Sequence, residues 1–109
     1  MAYNEILPQR VRESLRPRST VVEKKMFGGI AFMVNGNMAL CVTGDDLVVR
    51  VGLAQFEAAL EMRGVGLFQP TGKPMTGWVK VAPDGHQTEE SLERWIEMAL
   101  EFVQTLPGK

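Results

Sequence analysis

The sequence predicts an α+β fold in which helices cover an antiparallel sheet, and three observations carry this prediction. Between residues 20 and 51, segments rich in β-branched and apolar residues are separated only by short turns. Strands joined by such short connections are antiparallel, because parallel strands need long crossovers. Apolar residues at helical spacing flank this region on both sides. The patterns together predict two layers, one of helices and one of sheet.

The first predicted helix lies near the N-terminus. Leu7, Val11 and Leu15 recur every four residues, which places them on one helical face. Pro8 fits the first helical position, where its missing N–H costs no hydrogen bond. Pro17 is expected to end the helix.

Four strands are predicted to follow as a meander. Gly28-Gly29 forms a corner where unusual backbone angles cost little, and Asn35-Gly36 is the strongest short hairpin signal. Residues 44–46 make the third turn. The strands are expected over residues 20–26, 30–34, 38–43 and 47–51.

The rest of the chain predicts two more helices and one more strand. Residues 53–62 read as a helix, residues 63–74 as irregular structure rich in breakers, and residues 75–81 as a fifth strand. After a turn at residues 83–86, Thr88 caps a last helix with an apolar face. The predicted order is α-β-β-β-β-α-β-α, with a five-stranded antiparallel sheet and three helices.

Length and composition indicate one domain spanning residues 1–109. Hydrophobic residues make up 45% and charged residues 23% of the chain, which are ordinary values for a globular protein. The N-terminus has no apolar core typical of a signal peptide. No apolar run reaches the roughly 20 residues that span a bilayer. We expect a cytoplasmic protein without a membrane segment.

A net charge of −1 hides an asymmetric charge distribution. Residues 84–101 hold six acidic residues against one basic residue, and residues 1–25 hold six basic residues against three acidic ones. Four glutamates of the last helix are four residues apart and share a face, either as a solvated surface or as a docking face for a basic partner. The acidic face comprises Glu89, Glu93, Glu97 and Glu101. The first predicted helix has a basic face, which comprises Arg12 and Arg16.

Groups that could carry catalysis are scarce. Cys41 lies mid-strand, where a small buried residue fits better than a nucleophile. His86, the one histidine, falls in a predicted turn and is expected to be exposed. No residues have metal-ligand spacing, and no glycine pattern of a nucleotide-binding loop is present. We therefore predict no enzyme activity, cofactor or metal.

Three blocks of residues, in the right order, resemble the N-terminal domain of the TfoX/Sxy family. The blocks are residues 25–29 with 32–38, residues 47–52, and residues 72–79. The resemblance runs from about residue 4 to the C-terminus. Its surface motif comprises Lys25, Met26, Phe27, Gly28, Gly29, Gly72, Lys73, Pro74, Gly77 and Trp78.

The resemblance implies a two-layer fold like that of type III secretion chaperones and a role in regulation. Longer family members act as transcriptional co-regulators in natural competence and carry a second, C-terminal helical domain. The present sequence lacks that domain, so we expect a stand-alone N-terminal domain.

Three functions follow as hypotheses. The first is a non-enzymatic regulatory or adaptor domain that binds a protein partner, for which a second copy is one candidate. The second is weak nucleic-acid binding, which the near-neutral charge does not favour. The third is a small-molecule or enzymatic site near Phe27, Lys73 and Trp78. Nucleic-acid binding would use Arg10, Arg12, Arg16, Arg18, Lys24 and Lys25.

Overall fold

Four helices and six strands make up the part of the chain that the structure, a computed structural model, describes: residues 6–17, 21–26 and 28–107. The helices are α1 (Ile6–Leu15), α2 (Leu53–Leu60), α3 (Pro83–His86) and α4 (Glu89–Val103). The strands are β1 (Val21–Met26), β2 (Gly29–Val34), β3 (Asn37–Thr43), β4 (Asp46–Arg50), β5 (Val65–Leu67) and β6 (Trp78–Val81). The predicted α+β class is confirmed.

The strands form one antiparallel sheet in the order β1-β2-β3-β4-β6-β5. The first four strands make the predicted meander. Asn35 and Gly36 have φ angles of 52° and 81°, the left-handed values that a tight hairpin turn needs. Asn37 is buried and its Nδ2 donates to the carbonyl oxygen of Pro107 at 3.0 Å, so this hairpin also holds the segment that follows α4.

The main core lies between one face of the sheet and the helices. Side chains of α1, α2 and α4 pack there against alternate residues of β2, β3, β4 and β6. The predicted stripe of α1 is buried, and Thr88 caps α4 by accepting a hydrogen bond from the Ser91 N–H at 3.1 Å. The α4 residues facing this core are Leu92, Trp95, Ile96, Ala99, Leu100 and Val103.

The opposite face of the sheet carries a smaller apolar cluster. Ala31, Cys41 and Val48 are buried there beneath Phe68, with Met75 and Trp78 partly buried against them. The segment between β5 and β6 therefore covers this face, which no helix of the described chain does. The name second face is used below for this side of the sheet.

Four details of the prediction were wrong. Val65–Leu67 forms a sixth strand beside β6. The sequence did not indicate it because the strand has only three residues, with Gly64 before it and Gly66 at its centre. Residues 83–86, predicted as a turn, form the short helix α3, and His86 is buried at 5% exposure rather than exposed. β6 begins at Trp78, three residues later than the predicted start of this strand at residue 75.

Candidate functional site

An open cleft of about 380 Å³ lies between α2 and α4. Its apolar surface comes from the end of β4 and from one side of α4, and its rim is charged. The lining residues are Val51, Ala54, Gln55, Arg94, Glu97, Met98, Glu101 and Phe102. Leu53, next to the lining residue Ala54, is 72% exposed.

Two glycines set the geometry of this cleft. Gly52 precedes α2 with a φ of 85°, and a Cβ at that position would overlap the ring of Phe102. The N–H groups of Val51 and Gly52 both donate to the carbonyl oxygen of Gly77, at 2.9 and 3.0 Å. Gly77 itself has a φ of 92°. The carbonyl of the motif residue Gly77 therefore fixes the corner between β4 and α2, and the missing side chain of Gly52 leaves room there for the ring of Phe102 on α4.

The acidic row of α4 is exposed along its whole length, at Glu89, Glu93, Glu97 and Glu101. Glu97 and Glu101 line the cleft, so half of the predicted docking face belongs to a concave site. Glu89, at the other end, lies 3.6 Å from the Nε of Arg10 in the same chain. The two ends of the row thus have different surroundings.

The basic groups of α1 are partly engaged within the chain. Nη2 of Arg10 donates to the carbonyl oxygen of His86 at 3.1 Å, which ties α1 to the junction of α3 and α4. Arg12 donates from two nitrogens to the carboxylate of Glu23, with Nη2 at 2.8 Å from Oε1. Exposed positions remain at Arg16, Lys24 and Lys25. Arg18 lies outside the described residues.

The motif residues do not gather into one site. Gly28 and Gly29 form the corner between β1 and β2, whereas Lys73 and Pro74 lie exposed on the segment between β5 and β6. Gly72, in the same segment, has a φ of 86°. Phe27 lies outside the described residues, and so does the side chain of Met26. The predicted site near Phe27, Lys73 and Trp78 therefore stays a prediction.

Arg50 is a residue that the sequence analysis missed. Its guanidinium carbon lies 5.1 Å from the ring centre of Trp78 and 5.5 Å from that of Phe102. Such distances are typical of cation–π contacts. Trp78 also packs at 6.2 Å from Phe68. In the sequence, Arg50 is marked only as a single charge at the end of an apolar strand. In the structure, this charge lies beside the cleft residue Phe102.

His86 and Cys41 both have buried side chains. The Nε2 of His86 lies 2.9 Å from the carbonyl oxygen of Asp45, and since a carbonyl only accepts, Nε2 carries the proton. His86 thereby ties α3 to the turn between β3 and β4. Burial raises the pKa of the Cys41 thiol from 9.0 to about 11, so the thiol is protonated at neutral pH and suits packing rather than nucleophilic attack.

The raised pKa of Cys41 predicts a loss of stability in alkali. The unfolded chain releases the thiol proton near pH 9, whereas the folded chain holds it to about pH 11. The contribution of the protonated Cys41 thiol to the free energy of unfolding is therefore complete below pH 9, and it is lost as the pH rises towards 11. Urea unfolding of wild type and Cys41→Ala should show the difference between them falling by about 1–2 kcal/mol over this range. A difference that does not change with pH would contradict the prediction.

The described ranges contain neither a cluster of metal ligands nor a membrane-spanning helix. No three or more His, Cys, Asp or Glu side chains among residues 6–17, 21–26 and 28–107 are grouped so that they could hold a metal ion. Within the same ranges, every helix is too short or too polar to cross a membrane.

Comparison with known protein families identifies the domain to which the chain is similar. The model of the TfoX N-terminal domain matches residues 13–103, which is most of the 109-residue chain. No curated protein and no solved structure matches the chain. The likeness to secretion chaperones therefore stays a prediction.

Proposed function

Because the chain belongs to the TfoX N-terminal domain family, we propose that it is a regulatory domain that binds another protein through the cleft between α2 and α4. The family assignment makes it a member of a regulatory family. The finer role, a cytoplasmic co-regulator of transcription in competence, rests on the resemblance of the sequence to longer family members. Neither catalysis nor a cofactor is part of the proposal.

The observation that carries the proposal is the composition of the cleft. Its floor offers the apolar side chains of Val51, Met98 and Phe102. Its charged lining residues are Glu97, Glu101 and Arg94, so the carboxylates outnumber the one cation. An apolar centre with a polar rim is the usual anatomy of a protein interface. A groove along a helix suits an amphipathic segment that inserts apolar anchors. The rim carboxylates favour a partner segment that also carries Lys or Arg.

The placement of the basic residues supports a protein partner over nucleic acid. Arg10 and Arg12 contact Glu89 and Glu23 within the chain, so using them on phosphates would first require breaking these contacts. The exposed carboxylates of α4 would also repel a phosphate backbone on that side of the molecule.

Charge reversal at the rim tests the proposal. A photo-crosslinking side chain at Gln55, which lines the cleft, is used to capture and identify the partner from native lysate. The purified partner is then titrated against wild type and the double variant Glu97→Arg/Glu101→Arg. Because like charges then face the basic segment, we expect at least about tenfold weaker binding.

Matched controls lie on the same two helices. Glu90→Arg/Glu93→Arg reverses two exposed charges of α4 that do not line the cleft, and its affinity should stay within about threefold of wild type. A crosslinker at Glu57 of α2 should capture little of the partner. Equal affinity of both double variants, or equal capture from both positions, would refute the assignment of the cleft.

A further inference from the structure

A second cleft, also of about 380 Å³, lies on the second face of the sheet. Its lining comes from the end of β3, from β6, and from the segment that follows β5. The lining residues are Thr43, Phe68, Gln69, Pro70 and Lys80. A volume of this size lies near the lower end of the range for small-molecule pockets.

The lining combines one cation with neutral polar groups and an apolar wall. Lys80 brings an exposed ammonium group, while Thr43 and Gln69 bring a hydroxyl and an amide that can donate hydrogen bonds. Phe68 is 5% exposed and is anchored in the apolar cluster beneath. The wall of the cleft is therefore fixed to the sheet.

The charges of the second face favour an anion. Strand alternation places Lys24 and Lys80 on the same side of the sheet as Ala31, Cys41 and Val48. Among the described strand residues, one acidic residue lies on that side of the sheet: Asp46, which pairs with Thr43. Two positive charges against one negative charge leave the strands of this face with a small positive excess, in contrast to the acidic face of α4.

We propose that this second cleft binds a small organic carboxylate. The carboxylate would meet the ammonium of Lys80 and accept hydrogen bonds from Thr43 and Gln69, and the apolar part would lie on Phe68 and Pro70. A single lysine suits a monoanion, whereas phosphate groups are commonly held by arginine forks or by the N-terminus of a helix. The lining contains neither. The site lies on the opposite side of the sheet from the α2–α4 cleft, so both can be occupied together.

Benzoate is a suitable probe because it joins a carboxylate to a flat apolar body, and benzamide is its uncharged counterpart. Each is titrated into the ¹⁵N-labelled full chain at low salt and followed by amide chemical shifts. Benzoate should give saturable shifts centred on Thr43, Gln69 and Lys80, with a Kd on the order of 1 mM. Benzamide should bind at least about fivefold more weakly, because it lacks the charge that Lys80 recognises.

Two lysine variants separate this site from general attraction to a basic surface. Lys80→Gln should weaken benzoate binding at least about fivefold, whereas Lys73→Gln, which removes an exposed charge outside the cleft lining, should change it less than about twofold. Glu97→Arg/Glu101→Arg should bind benzoate as wild type does, so failure at one cleft is distinguishable from failure at the other. Shifts that do not saturate, that centre elsewhere, or that are equal in wild type and Lys80→Gln would overturn the proposal.

Discussion

Replacing Gly29 by alanine is expected to destabilise the fold by at least about 3 kcal/mol, because the new methyl group has no space. A Cβ on residue 29 would overlap the carbonyl oxygen of Val42 and lie 2.8 Å from its carbonyl carbon. Both atoms belong to the backbone of β3, so no side-chain rotation relieves the overlap. β2 and β3, the middle pair of strands in the meander, would have to move apart where β2 begins.

Gly28→Ala is the matched control at the neighbouring position. Gly28 has a φ of 76°, but a Cβ there would meet nothing within 4 Å. Its replacement should cost only the strain of a left-handed residue, about 1 kcal/mol. Urea unfolding followed by circular dichroism measures both variants. If the two substitutions cost the same, backbone contact is not what requires glycine at residue 29.

Replacing Trp95 by alanine is expected to cost about 3–5 kcal/mol. Trp95 is 1% exposed and is among the largest fully buried side chains of the core. Its Nε1 donates to the carbonyl oxygen of Gly85 at 2.9 Å, which joins α4 to α3. The substitution leaves a cavity in the core and leaves that carbonyl without its donor. Since small domains are stable by about 5–15 kcal/mol, the variant should unfold at much lower urea.

Trp95→Phe separates the two contributions. Phenylalanine fills most of the space but cannot donate the hydrogen bond, so we expect a loss of about 1–3 kcal/mol. Trp78→Ala provides a comparison with the other tryptophan, which is only partly buried, and should cost less than Trp95→Ala. A larger effect at Trp78 would show that the second face, rather than the helix-covered core, dominates stability.

Local patterns predicted the elements whose signals lie within a few residues. The Asn35-Gly36 turn, the cap at Thr88 and the apolar stripe of α1 depend on backbone angles and spacing that neighbouring residues set. β5 was missed because three residues around Gly66 have too little periodicity to distinguish a strand from a loop. Its pairing with β6 is long-range and leaves no local trace.

The candidate site was predicted only in part, for a related reason. The spacing of Glu97 and Glu101 places them on one face of a helix, as expected. That Gln55 and Val51 lie across from them depends on how α2 packs beside α4. Arg50 could not be assigned, because its two ring contacts come from residues 28 and 52 positions further along the chain.

The sequence by itself determined the family, the α+β class, the meander and the acidic row of α4, because turn chemistry, periodicity and motif order are local properties. Tertiary structure alone decided the burial of His86, the engagement of Arg10 and Arg12, and the two clefts on opposite sides of the sheet. Each of these depends on distances between segments far apart in the chain, and residue spacing does not encode such distances. The structure shows where the predicted charges lie: Arg10 and Arg12 form ion pairs within the chain, and Glu97 and Glu101 line the cleft proposed to bind a partner.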